Sequence, residues 1–467
     1  MPFRDQWRDV ETLHHDGIPI DTNSNETAKL FDAALTQYVG RYNDEQMDGL
    51  KTTLSRLLSS DPTCITSRIL NAALHLPSLT CPPSLLNSKT VELLGDITSS
   101  STYIKLHTQA LLYWSLGYLS LAADTWETLL LSYPFDIMTI RFVNDTYIYL
   151  GNRNMLRDSI ARVLPIWESS SSSSNRPLKS YLHGMYAFGL GETNMTERAE
   201  KEARRGLELN EHDAWATHAL VHAMEYTGRT SNGSEFLEKT QQHWRKIDMI
   251  ESHLDWHWAL YALDEDNWEK ATEILENYLI QWTDKAITTL NYVDAVSLIY
   301  RLKLAGHPYS SKSISALKNF LDDHLYSHRL LFTDFHHYFI LNNFDDFQMK
   351  TDFIRSLQET FESSDSDYGK VYHQIGKHIF AAIDRFEEGA YAQVVNILYP
   401  IRNQIFTIGG SIAQQEVFYL LLIHSAVHST ENEHRQLAKR LINERCQMRG
   451  TNKSKMMENY ANAIRED

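Results

Sequence analysis

Two short stretches hold the side chains with the most chemical potential. "HALVHAMEY", residues 218 to 226, carries His218, His222 and Glu225, and "HLDWH", residues 253 to 257, carries His253 and His257. A helix turns about 100° per residue, so the i, i+4, i+7 spacing puts the first three on one stripe. His253 and His257 share a stripe in the same way. His253 follows His218 by 35 residues, and His257 follows His222 by 35. That offset is one helical-repeat length. Helices at matched positions of stacked repeats run about 8–10 Å apart, a gap that facing side chains can cross. Neutral imidazoles with a carboxylate form a ligand set for zinc and other divalent metals, which makes His218, His222, His253 and His257 candidate ligands. Alternatively, Glu225 orients a histidine that acts as general acid or base near neutral pH. The spacing is not HExxH, because no Glu follows His218 or His253 directly. A packing role also stands: histidines in a repeat seam hydrogen-bond to neighbouring backbone, and Trp215, Trp256 and Trp258 suit such a seam.

These residues need helices to position them. Only 11 prolines and 19 glycines punctuate 467 residues, and apolar positions recur at three- and four-residue spacing, which predicts an all-α chain. The helices repeat. In "HTQALLYWSLGYLSLAADTWETLLLSYPFD", Ala110 and Tyr113 are followed by Ala122, Trp126, Leu129 and Pro134. That is the small, aromatic and proline order of a tetratricopeptide repeat, whose two antiparallel helices pack through small residues. Ala187, Leu190, Ala199, Ala203 and Leu207 repeat the pattern, as do Ala259, Ala262, Trp268, Ala271 and Leu275. A weaker copy is "HIFAAIDRFEEGAYAQVVNILYPIR"; residues 141 to 166 fit the period poorly, and 284 to 365 show helices without clear repeat residues. Units that expose an apolar face must stack, so the expected fold is a tetratricopeptide-like helical-repeat solenoid, a right-handed superhelix that the C-terminal helices can close on itself. The expected divisions are an N-terminal helical cap over 1–100, repeats over 101–283 and divergent repeats over 284–467. The serine run 169–174 reads as a surface insert between helices.

Composition removes several classes of function. Lys and Arg number 44 against 60 Asp and Glu, a net charge of −16, so there is no basic footprint for nucleic acid or an anionic membrane. The N-terminus, charged from its fourth residue, lacks a signal-peptide h-region, and no stretch approaches 18 uncharged apolar residues. Cys64, Cys81 and Cys446 show no paired spacing, which fits reduced thiols and a cytoplasmic location. No P-loop motif occurs. "GLGETN" reads as a break between helices rather than a dinucleotide turn, and the Gly409–Ser411 stretch as the N-cap of a helix starting near Ile412. Ser411 and His424 show no nucleophile-elbow pattern, and no cysteine has an electropositive setting.

At "SNETAKLFDAALTQYVGRYND", "YLGNRNMLRDSIARVLPIW", "DAWATHALVHAMEYTGR", "HLDWHWALY", "LLFTDFHHYFIL" and "GGSIAQQEVFYLLLIHSAV" the chain resembles the family of tetratricopeptide repeat protein 38. The likeness runs from about residue 7 to residue 445. It implies a divergent superhelix without transmembrane segments and no established activity. It also implies polar pocket positions at His218, His222, Glu225, His253, His257, Asp334, His336, Gln414 and His424, but not at His337. Phe335 and His337 depart from the small and apolar residues the family pattern has there. Two functions follow as expectations. One is a scaffold that binds a partner protein or ligand in its concave face, although groove helices rich in His, Trp and Glu argue against acidic peptide tails. The other is a hydrolase of a small molecule that uses a divalent metal or a histidine, with His222, Glu225 and Asp334 as catalytic candidates.

Overall fold

The computed structural model describes residues 4–76, 101–169, 176–281, 288–307, 309, 311–344, 346–450 and 454–466. Cys81 and serines 170–174 lie outside the described residues. Among those described, every regular element is a helix, and consecutive helices pack as hairpins: the chain is an all-α helical-repeat protein. It divides into two compact units, Met1–Leu220 with Thr240–Glu251, and Val221–Lys239 with Ser252–Asp467.

The first unit contains, among helices of eight residues or more, α1 (Asn25–Gly40), α2 (Gly49–Ser60), α3 (Ile65–His75), α4 (Thr102–Ser115), α5 (Leu119–Ser132), α6 (Ile137–Leu150), α7 (Arg153–Ser169), α8 (Lys179–Glu192) and α9 (Thr196–Leu209). The division falls inside α10 (Ala214–Tyr226). The α4–α5 hairpin packs as the repeat pattern predicts, with Ala110, Ala122, Ala123, Trp126 and Leu129 all buried. Small residues let the following helices approach closely. A Cβ on Gly184 of α8 would sit 2.4 Å from the backbone nitrogen of Ala216, and one on Gly206 of α9 would sit 2.9 Å from the Ala216 Cβ. The weakly patterned stretch 141–166 also folds as a hairpin, because α7 buries Leu156, Ile160, Val163, Leu164 and Trp167 along one stripe. That helix continues past Pro165 to Ser169.

The second unit follows with α11 (Thr230–Lys239), α12 (Glu251–Asp264), α13 (Trp268–Gln281), α14 (Thr289–Leu304), α15 (Ser311–His324), α16 (Leu331–Leu341), α17 (Phe347–Phe361), α18 (Lys377–Glu387), α19 (Tyr391–Ile401), α20 (Ile412–His428), α21 (Asn432–Met448) and α22 (Lys455–Glu466). Helices α18 and α19 form the late repeat hairpin. Helix α14 packs against α16 and α20, and the Phe335 ring lies 4.6 Å from that of Phe380 and 5.7 Å from that of Phe418. The start of α20 carries a capping box. The Ser411 side chain accepts from the Gln414 N–H, and the Gln414 side chain accepts from the Ser411 N–H, as the N-cap expectation requires. Cys64 and Cys446 are buried free thiols, and burial pushes the Cys64 thiol up to about 12, far from a thiolate nucleophile. No described helix is long and apolar enough to cross a membrane.

Candidate functional site

The sequence offset becomes geometry in the second unit. His222 on α10 and His253 and His257 on α12 are 1 %, 3 % and 0 % exposed. The His257 ring sits between the other two, with its centroid 4.4 Å from that of His222 and 4.8 Å from that of His253. Each of these histidines offers a ring nitrogen, and those nitrogens lie within 4.8 Å of one another. Tetrahedral zinc with bonds of 2.0–2.1 Å holds its donors about 3.4 Å apart, so small side-chain rotations would close the set.

Each ring is also oriented from outside. Nδ1 of His222 meets the Tyr226 hydroxyl at 2.6 Å. His253 Nδ1 donates to Asp294 Oδ2 at 2.6 Å, and His257 Nδ1 donates to Glu225 Oε2 at 3.0 Å. This is the arrangement in which outer hydrogen bonds set tautomer and ring orientation at metal sites. Burial, with like-charge crowding from neighbouring histidines, holds His222 and His257 well below the ordinary imidazole range, so both stay neutral at pH 7. Neutral rings are what metal ligation requires.

The outer partners are tied in turn to the C-terminal helices. Arg449 Nη2 donates to Glu225 Oε1 at 3.3 Å and to Glu416 Oε2 at 3.0 Å, while its Nη1 donates to Asp264 Oδ2 at 2.7 Å. Gln414 Nε2 reaches Asp294 Oδ1 at 3.4 Å. Arg301 Nη2 donates to the Ala413 carbonyl at 2.6 Å, and the guanidinium lies 5.4 Å from the Trp256 ring centroid. Burial pushes Glu225 up to about 8 against the pull of Arg449, with Glu416 and Asp264 adding to the rise. Glu416 goes the other way. Burial raises it, yet Arg445, Arg449 and Arg301 together hold it down near 2. A cavity of about 20 Å³ adjoins Glu225, Arg301, Glu416 and Arg449, with room for a single water.

His218 lies on the first unit's side of the division, one turn before His222 along α10, with its ring 5.1 Å from and stacked on Phe188. Gln414 reaches the cluster only through Asp294. Asp334 is paired instead with His328 Nδ1 at 3.0 Å. His336 is buried on α16, where its Nδ1 donates to the Phe332 carbonyl at 2.7 Å. His424 donates to the Leu304 carbonyl at 2.9 Å and stacks on His428, beside a separate cavity of about 190 Å³.

Sequence reasoning did not find Tyr226, Asp294 or Arg449. A signal for Asp294 existed: in "NYVDAVSLIYRL" it stands with Arg301, seven residues on and on the same helix face, inside an otherwise apolar run. A buried charge in such a run needs a partner.

No family model matches the chain. A solved structure to which it is similar is that of yeast Tom70, at 11% sequence identity over 94% of this chain and 96% of that one, with a TM-score of 0.33.

Proposed function

We propose that this helical-repeat protein holds a divalent transition metal, of the zinc class, on His222, His253 and His257. One observation carries the reading: three buried imidazoles meet at a point, and each is oriented by an outer partner on its Nδ1. In this reading the metal is a staple. It joins α10 to α12 directly, α14 through Asp294, and the end of α21 through Glu225 and Arg449. Small-molecule hydrolysis at the centre has less support, because the adjoining cavity has room for one water and the rings are buried. The blocks resembling the tetratricopeptide repeat protein 38 family include both imidazole-bearing stretches, so the centre would be a family property.

A partner-binding role for the repeats is the second reading. It is favoured by the exposed Leu112, Leu116, Leu121 and Leu131 on α4, α5 and the turn between them. The test of the metal reading is elemental analysis of the purified full chain beside His257→Ala. About one equivalent of metal in the first and little in the second supports it. A metal-free chain that takes up neither zinc nor cobalt overturns it and leaves partner binding as the standing role.

A further inference from the structure

Away from the imidazole cluster, three side chains of the second unit form a line. The Ser356 hydroxyl lies 2.9 Å from His328 Nε2, and His328 Nδ1 lies 3.0 Å from Asp334 Oδ1. Asp334 is 1 % exposed and His328 5 %, whereas Ser356 is half-buried at the surface of α17. With Asp334 accepting, Nδ1 carries the ring proton and Nε2 accepts from the Ser356 hydroxyl. That is the polarity of a nucleophile, its base and the carboxylate that holds the base in tautomer, recognised by geometry rather than by motif.

The backbone supports the arrangement. His328 sits in a loop between α15 and α16 with φ +44°, a left-handed conformation that costs a non-glycine residue about 1–3 kcal/mol. Such strain persists where surroundings over-determine it, and here both ring nitrogens are engaged. Phe353 and Phe361 wall the imidazole, with ring centroids 5.4 Å and 6.4 Å away. Asp334 Oδ2, also buried, has no hydrogen-bond partner among the described residues, so this carboxylate is dedicated to His328.

We infer that Ser356, His328 and Asp334 form an acyl-transfer site for small uncharged carboxylic esters. Ser356 Oγ attacks the ester carbonyl as its proton passes to His328 Nε2. The acyl–oxygen bond breaks, and the alcohol leaves with that proton. Water then attacks the acyl-serine by the same base, releases the acid and restores Ser356. Asp334 is a positioning residue. Asp352, one turn before Ser356, is ion-paired with Arg355 at 2.7 Å, so the two charges beside the hydroxyl offset each other, which fits uncharged substrates, and the half-exposed Tyr326, two residues before His328, offers an aromatic surface. Ser356 lies inside a helix, where the nearby peptide N–H groups are spent on helical bonds. It therefore lacks the backbone oxyanion donors of a nucleophile elbow, and the turnover expected is slow by about 10²–10³ relative to a site that has them.

The test is to treat the full chain with diisopropyl fluorophosphate, map the adduct by peptide mass, and follow p-nitrophenyl butyrate hydrolysis. A single adduct on Ser356 is expected, with both adduct and hydrolysis lost in Ser356→Ala. His328→Asn tolerates the left-handed backbone and should label at least about 100-fold more slowly. Asp334→Asn should lower the maximal labelling rate with little change in the half-saturating reagent concentration, a split that a packing role does not produce. Absence of an adduct on Ser356 in the wild-type chain overturns the inference. So does equal labelling of wild type and His328→Asn when both keep the native far-ultraviolet circular dichroism.

Discussion

Asp294→Asn is the sharpest probe of the metal centre, because it keeps shape and removes charge. Asp294 Oδ2 accepts from His253 Nδ1 at 2.6 Å, a charge-assisted bond roughly twice as strong as a neutral one. Replacing an outer partner of a ligating histidine weakens metal affinity 10–100-fold. The short ionic contact places this variant near the upper end, about 2.7 kcal/mol, whereas Tyr226→Phe, which loses a neutral hydroxyl, belongs near tenfold. At a fixed excess of free metal, the lost affinity appears as lost stability. A unit of this size moves roughly 2–4 °C per kcal/mol, so the metal-loaded variant should melt about 5–10 °C below wild type. Affinity is read by competition with a chromogenic chelator, and melting by calorimetry with metal and with excess chelator. The gap between wild type and variant should collapse once metal is removed. A gap of equal size in both conditions would refute the reasoning, since Asp294 would then act as an ordinary packing partner.

Three further outcomes are expected. Arg449→Met takes the guanidinium from Glu225, leaves Glu416 and Asp264 to Arg445, and should cost roughly 3 kcal/mol in urea unfolding; a change under 1 kcal/mol would show the network to be solvent-screened. Burial, partly offset by the bond to the Phe332 carbonyl, pushes His336 down to about 4, and its Nε2 has no hydrogen-bond partner among the described residues. The unfolded ring gains a proton below about 6.5 while the folded one does not, so this group's contribution is lost as pH falls from 6.5 toward 4. His336→Gln should therefore lose about 2 kcal/mol less than wild type between pH 7 and pH 5, a comparison that cancels the opposing rise of buried carboxyls such as Asp334. Gly233→Ala places a Cβ 2.4 Å from the Tyr261 ring, whose hydroxyl donates to the Val221 carbonyl at 2.7 Å. Overpacking of about 1–3 kcal/mol should exceed the gain in helix propensity, and a higher melting temperature would contradict it.

The parts of this protein that could be read in advance are those set by short-range periodicity. Ala110, Ala122 and Trp126 mark a hairpin because close helix approach demands small residues at fixed intervals, and the structure buries all three. The 35-residue offset worked for the same reason: a stacked repeat turns equal sequence separation into lateral adjacency, and the His222 and His257 rings meet. Residues 141 to 166 were harder, since α7 builds its buried stripe from large residues rather than the small-residue signature. The outer partners could not be read from spacing at all. Asp294 and Arg449 come from helices whose approach depends on how the intervening hairpins pack, and nothing periodic links residue 225 to residue 449. The Ser356–His328–Asp334 line is less legible still, because it depends on one left-handed residue in a loop.

His107 shows what a histidine does in this architecture when packing is the whole of its task. It is fully buried in the first unit, where its Nδ1 accepts from Trp126 Nε1 at 3.2 Å and its Nε2 lies 3.2 Å from the Thr139 hydroxyl. Both nitrogens serve neighbouring helices, and among the described residues His107 belongs to no group of three or more side chains placed to share a metal. His222, His253 and His257 are built otherwise. They crowd three rings into one buried point, which raises the cost of desolvation and of any proton among them, and each turns Nδ1 outward to a hydroxyl or carboxylate. A seam that needed only satisfied hydrogen bonds would spread its histidines out, as His107 is spread. Convergence together with outward anchoring is the combination that a cation between the rings would compensate, and the melting comparison on Asp294→Asn tests that compensation directly.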